Sequence, residues 1–253
     1  MANIFPRWTN LLPLKIAICI ASLVLGLVIM FTYYFTPKTL RVGYMPDQPI
    51  AYDHELHVKQ LGLDCRLCHS FVEESGHANV PTGDRCWTCH QHVQKDNEKL
   101  LPLRRAMDKT FEGYTGEPVK WVRVHKSPDY VFFDHSAHLN RGVSCVSCHG
   151  QVNEMRTVFQ AKDHSMGFCL DCHRAPENHL RPLEEVFNLD YTAKNYVELN
   201  PTFADAVDTF SKSNSDLKLN PKGSEEEVQK AVGSFLKAHW NVQPKESCAT
   251  CHR

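Results

Sequence analysis

Five copies of the pattern C-x-x-C-H, at 65–69, 86–90, 145–149, 169–173 and 248–252, constrain this chain more than anything else in it. They consume ten of its eleven cysteines. A zinc ribbon is the first rival reading, because Cys65, Cys68, Cys86 and Cys89 have seventeen residues between the inner pair, within the C-x2-C-x15–20-C-x2-C pattern. A ribbon has no use for a histidine after every second cysteine, and neither has a disulfide. With 15 histidines in 253 residues, five out of five by chance comes to about one in a million, whereas covalent haem attachment requires that residue. Both thiols add to the haem vinyl groups and the adjacent imidazole becomes the proximal iron ligand. The pattern therefore predicts five covalently bound haem c groups, attached through Cys65, Cys68, Cys86, Cys89, Cys145, Cys148, Cys169, Cys172, Cys248 and Cys251. The proximal ligands are then His69, His90, His149, His173 and His252.

Five large, largely apolar macrocycles also answer a packing question. Outside the first forty residues the side chains give only a thin apolar core for about 210 residues. Helical patterning is short: 92–107, a weakly patterned 186–210, and 225–239. In the last, Ser224 and Glu227 form a capping box and Val228, Val232, Phe235 and Leu236 make an apolar stripe. No run alternates convincingly as a strand. The fold class that follows is one N-terminal transmembrane helix plus a haem-nucleated cytochrome domain of loops and short α-helices, with little or no β.

The transmembrane expectation rests on IAICIASLVLGLVIMFTYYF, residues 16–35, twenty residues without a charge. At 1.5 Å per residue such a helix matches the roughly 30 Å hydrocarbon core. Tyr33, Tyr34 and Phe35 supply an interfacial aromatic collar. A cleaved signal peptide would have an apolar run of about 7–15 residues ending in small residues; YYFTPK is a poor cleavage site, and Ile18 ahead of Cys19 argues against a lipoprotein. Arg7 and Lys15 balance Lys38 and Arg41, so charge does not orient the helix. Haem attachment does, because it occurs on the outer face of the energised membrane. The expected organisation is a cytoplasmic N-terminus at 1–15, an anchor at 16–35, a proline-bearing linker at 36–49, and a periplasmic pentahaem domain at 50–253. The formal net charge of −1, with no basic stripe among aromatics, gives no sign of nucleic-acid binding.

Each iron has a sixth position still to fill. A short internal repeat addresses it: Tyr52-Asp53-His54-x-x-His57 precedes Cys65, and Phe133-Asp134-His135-x-x-His138 precedes Cys145. The two histidines of a phrase cannot both cap the haem of the motif that follows, since only one position is free there. Three residues apart, they project at different angles and can reach two neighbouring irons. For the fifth position His125 and Met166 are the leading choices, with His239 and Met155 behind them. A thioether from Met166 would raise one haem's potential. His77, His92, His164 and His179 read as solvated or propionate-contacting.

Several stretches together carry a family resemblance: QPIAYDHELHVKQLGLDCRLCH, HANVPTGDRCWTCH, WVRVHKSPDYVFFDHSAHLNRGVSCVSCHG, SMGFCLDCHRAPENHLRP and the closing CATCHR. The chain resembles the pentahaem subunit of bacterial alternative complex III, outside about 191–240. The resemblance implies a single-pass protein of the bacterial inner membrane. There it would transfer electrons within a menaquinol:acceptor oxidoreductase, toward a terminal oxidase or a small electron carrier. Its implied partners are an iron–sulfur subunit resembling molybdopterin oxidoreductases, polytopic quinol-binding subunits and a monohaem cytochrome c. The paired histidines are similar to those of small class III cytochromes. That likeness implies that His54 and His135 serve their own haems while His57 and His138 reach neighbours.

On this reading the chain is not catalytic alone. A self-sufficient quinol dehydrogenase of the small tetrahaem type is the alternative, but that type carries a methionine just after its first motif, where Ser70 and Phe71 stand here. A pentahaem nitrite reductase would have a lysine-ligated haem, whereas all five motifs here end in histidine.

Overall fold

A computed structural model describes residues 6–35 and 41–252. Residues 1–5, 36–40 and 253 lie outside the described residues, and with them Lys38 and the start of the expected linker. After a 3-10 turn at Arg7–Leu11, helix α1 runs Leu12–Phe35, and none of its residues is buried. Its 24 residues amount to about 36 Å of helix, enough to cross a bilayer core.

Among the described residues ten shorter α-helices follow, besides a π-helical turn at Glu55–Gln60 and short 3-10 turns: α2 Cys65–Cys68, α3 Gly83–His90, α4 Leu101–Met107, α5 His135–Leu139, α6 Cys145–His149, α7 Met166–Arg174, α8 Ala193–Leu199, α9 Pro201–Ser213, α10 Glu225–His239 and α11 Cys248–Cys251. Among the described residues there is no strand, only isolated bridges between Val131 and His252 and between Val143 and Leu180. Every C-x-x-C pair lies within a helical turn, in α2, α3, α6, α7 and α11.

The apolar core sits apart from most of the motifs. Its main cluster is Leu180, Ala193, Val207, Val228, Ala231, Val232 and Leu236, built from α8, α9 and α10. Helix α10 carries the expected capping box: Ser224 Oγ accepts from the Glu227 amide at 3.4 Å, and the Glu227 carboxylate accepts from the Ser224 amide at 2.8 Å. Glu225 reaches across to α8, accepting from the amides of Ala193 and Lys194 at 2.7 and 3.1 Å. Helix α10 presses so closely on the turn at Pro176–Asn178 that a Cβ on Gly233 would stand 1.8 Å from the Glu177 carbonyl oxygen. That turn follows directly on the fourth motif, so the helical cap fixes the chain leaving His173.

The part of the expected linker that is described is docked rather than free. The Gly43 amide donates to Gln160 O at 2.8 Å and the Gln160 amide to Tyr44 O at 3.0 Å. Gln48 exchanges two side-chain bonds with the backbone of Val122, at 2.8 and 2.9 Å. Arg41 donates to Val124 O at 3.2 Å.

Candidate haem sites

The ten motif thiols are free, and none is joined in a disulfide. Among the described residues no group of three or more His, Cys, Asp or Glu side chains converges as a metal cluster would. Burial pushes the thiols of Cys65, Cys68, Cys86, Cys145, Cys148, Cys169 and Cys172 up, Cys145 to about 11 and Cys148 to about 12.

The two repeat phrases fold alike. Asp53 and Asp134 each accept the amide three residues on, from Leu56 at 3.0 Å and Ala137 at 3.3 Å. Their main-chain carbonyls meet Nδ1 of the second histidine, at 2.8 Å for His57 and 2.7 Å for His138. The leading aromatic then stacks on that histidine and meets the first one edge-on. Tyr52 lies 4.6 Å from His57 and 4.7 Å from His54 between ring centres; Phe133 lies 4.6 Å from His138 and 4.8 Å from His135. The aromatic-Asp-His-x-x-His phrase is thus a local device that orients two imidazoles, with Nε2 of the second turned away from the backbone.

Those imidazoles face motif histidines. Ring centres are 6.2 Å apart for His57 and His90, 6.5 Å for His135 and His149, and 6.1 Å for His138 and His173. An imidazole–metal bond is about 2 Å, so two imidazoles on opposite sides of one metal ion place their ring centres about 6 Å apart. The gaps fit a haem iron. Burial first, then the charge of His69, pushes His54 down to about 4. Burial likewise lowers His149, to about 3, and it lowers His138. Neutral imidazole is the form that binds metal.

Most of these histidines have Nδ1 spoken for by a backbone carbonyl, which leaves Nε2 for iron. His69 is bonded to Asn79 O at 3.0 Å, His90 to Val93 O at 2.9 Å, His173 to Lys245 O at 2.7 Å and His135 to Gly76 O at 2.9 Å. These carbonyls are the part of the site that the sequence does not advertise. His54 differs: its Nδ1 is buried without a hydrogen-bond partner.

Paired thiols in helical turns, each followed by a histidine, with imidazoles facing three of those histidines across iron-sized gaps, fit haem c. The chain carries five haem c attachment motifs.

The remaining expected ligands are placed unevenly. His125 lies behind His149 rather than across a gap from it, with ring centres 4.4 Å apart and His125 Nε2 3.3 Å from His149 Nδ1. Burial, followed by His164 and Arg41, lowers His125 to about 4. His164 turns its Nε2 to Cys148 O at 2.8 Å. Met166 is two-thirds exposed at the start of α7, His239 stacks on Phe235, and Met155 is buried. Beside His252 stands Tyr130, 5.7 Å away between ring centres. His77 and His92 are exposed.

After burial, several motif cysteines also feel a thiol of another motif: Cys68 acts on Cys86, Cys65 on Cys145, Cys172 and Cys169 on Cys148, and Cys251 on Cys169. Electrostatic reach thus links the second motif to the first, the first to the third, the third to the fourth and the fourth to the fifth.

Comparison with known proteins agrees with this cytochrome. Residues 131–198 match the family described as cytochrome c7 and related cytochrome c. Over 182 residues the chain is 29% identical to the multihaem cytochrome c subunit of menaquinone reductase from Nitratidesulfovibrio vulgaris (strain Hildenborough), covering 63% of this chain and 83% of that protein.

Proposed function

We propose that this cytochrome is the membrane-anchored electron-transfer subunit of a menaquinone-linked respiratory complex. The observation that carries the reading is that the two histidines of the second phrase face different motifs. His135 faces His149 while His138 faces His173, and His57 faces His90. One turn of chain would then supply ligands to two neighbouring haems, an arrangement that suits conduction between centres. Bound haem supplies one-electron exchange between ferric and ferrous iron. The residues of this chain fix where those centres stand and keep water and small molecules from the axial positions. His54, His57, His135 and His138 are the proposed distal ligands opposite His69, His90, His149 and His173. His252 is the fifth proximal ligand, and Met166 or His239 is left to serve it.

The menaquinone link comes from the relative, whose name assigns it to a menaquinone reductase. The oxidising direction and the partner set come from the resemblance to alternative complex III. In that reading α1 is retained as a single-pass anchor and the pentahaem domain, 50–253, lies on the periplasmic side. An iron–sulfur subunit, polytopic quinol-binding subunits and a monohaem cytochrome c are the partners. Affinity capture of the tagged chain from gently solubilised membranes should bring those subunits down with it. The isolated chain should stay oxidised when mixed with a menaquinol analogue, while the captured complex becomes reduced. Full reduction of the isolated chain overturns the proposal in favour of a self-sufficient quinol dehydrogenase.

A further inference from the structure

We infer that His125 is a positioning residue for the third haem, accepting the Nδ1–H of the proximal ligand His149 and lowering the potential of that haem alone. This deepens the electron-transfer reading and rests on His149 binding iron through Nε2.

Among the first four motif histidines the third differs. His69, His90 and His173 each point Nδ1 at a main-chain carbonyl, 2.7–3.0 Å away. His149 instead points Nδ1 at the side chain of His125, 3.3 Å away. With Nε2 given to iron, Nδ1 of His149 carries the proton and is the donor. The acceptor is therefore the bare Nε2 of a neutral His125, whose own proton sits on Nδ1.

The arrangement is built rather than incidental. His125 follows Val124, which is buried, and the carbonyl of Val124 is tied to Arg41. Val122 of the same strip is tied to Gln48. On its other side His125 meets His164, 5.5 Å away between ring centres, and His164 is anchored on Cys148 O of the same haem motif.

An imidazole nitrogen is far more basic than an amide oxygen, so it draws the Nδ1 proton further from His149. The proximal ring gains imidazolate character, donates more electron density to iron and favours the ferric state. At 3.3 Å the bond is long for the class, so the pull is partial. The first, second and fourth haems, backed by carbonyls, lack this device. The third, whose motif is linked to both the first and the fourth, becomes the one whose potential a side chain sets.

The test uses the full chain in its complex, titrated potentiometrically and followed by visible and electron paramagnetic resonance spectra. His125→Ala should leave every low-spin signal in place and shift one centre to higher potential. That centre should be the one whose axial field is lost in His135→Ala. His125→Gln, which restores an oxygen acceptor, should lie between wild type and His125→Ala. Loss of a low-spin signal with a new high-spin one in His125→Ala would make His125 an axial ligand and overturn the inference. So would a titration superimposable on wild type, or a shift in a different centre. If His125→Ala does not assemble, His125→Gln alone decides by the same criteria. Failure here with intact reduction of the complex leaves the wider functional reading standing, so the two are separable.

Discussion

The imidazole rings of His135 and His149 lie 6.5 Å apart and within 6° of parallel. His138, one turn further along the same short helix, faces His173 instead, at 6.1 Å and 37°. One five-residue helix therefore serves two sites. His135→Ala and His138→Ala should each convert one low-spin haem to high spin, and a redox titration should show a different centre displaced in each. Loss of the same centre in both variants refutes the assignment.

Met166 stands in the first turn of α7, two-thirds exposed, three residues ahead of Cys169. The thiol of Cys169 is close enough to Cys251 to feel its charge, after the larger effect of burial. The fourth and fifth motifs are thus neighbours, which makes Met166 a candidate to test as the sixth ligand of the fifth haem. If its thioether is that ligand, the oxidised protein shows a sulfur–iron charge-transfer band in the far red and Met166→Leu abolishes it. A wild type without the band leaves His239 as the ligand.

Gly233 has no room for a side chain, because the Glu177 carbonyl occupies the place of a Cβ at 1.8 Å. Gln229 and Lys237, one turn to each side, bind the same segment: Gln229 donates to Leu180 O at 2.7 Å, and Lys237 Nζ lies 2.9 Å from the Glu177 carboxylate. Gly233→Ala must push α10 off this turn, and overpacking of that kind costs about 1–3 kcal/mol. Calorimetry should show a thermal midpoint lowered by several degrees with the visible spectrum unchanged. An unshifted midpoint means that the close approach is not part of the native packing.

Asp108 is held by Thr110, Lys95 and Arg104. Its carboxylate accepts from Thr110 Oγ1 at 2.6 Å, lies 3.0 Å from Lys95 Nζ and accepts from Arg104 Nε at 3.2 Å. These partners hold the carboxyl well below its usual range. A depressed folded pKa adds stability that is present above the unfolded value, about 3.9, and is lost as pH falls below it. Asp108→Asn should therefore be less stable than wild type by a constant margin from pH 5 to 8, with the margin shrinking below about pH 4. Thermal melts across that range would show it; a margin undiminished at low pH counts against the ion cluster.

How far the sequence could be read varied with what each feature depends on. The repeat phrase was legible because aromatic, Asp and His side chains each have a task there, and the structure gives both copies the same stacking and the same caps. The capping box of α10 was legible for the same reason. The carbonyls of Gly76, Asn79, Val93 and Lys245 were not, since any residue supplies a carbonyl and only the path of the chain aims it.

Residues 186–210 promised little helix, yet α8 and α9 are both there. The break at Asn200 and Pro201 cuts the apolar period in two, while the Thr192 hydroxyl caps one piece and Pro201 opens the other. The helix expected over 92–107 shrinks to α4, preceded by a 3-10 turn at Glu98–Leu100. Pro102 in its first turn marks the true start. The linker, read as extended from its prolines, is docked from 41 onward because Arg41 and Gln48 find backbone partners 74 or more residues away.

In every facing pair the phrase histidine comes earlier in the chain than the motif it faces: His57 before His90, His135 before His149, His138 before His173. A polypeptide emerges N-terminus first. The second, third and fourth attachment sequences would therefore each be made with the facing imidazole already present in the chain. For those three sites the direction of synthesis and the layout of the facing imidazoles run the same way.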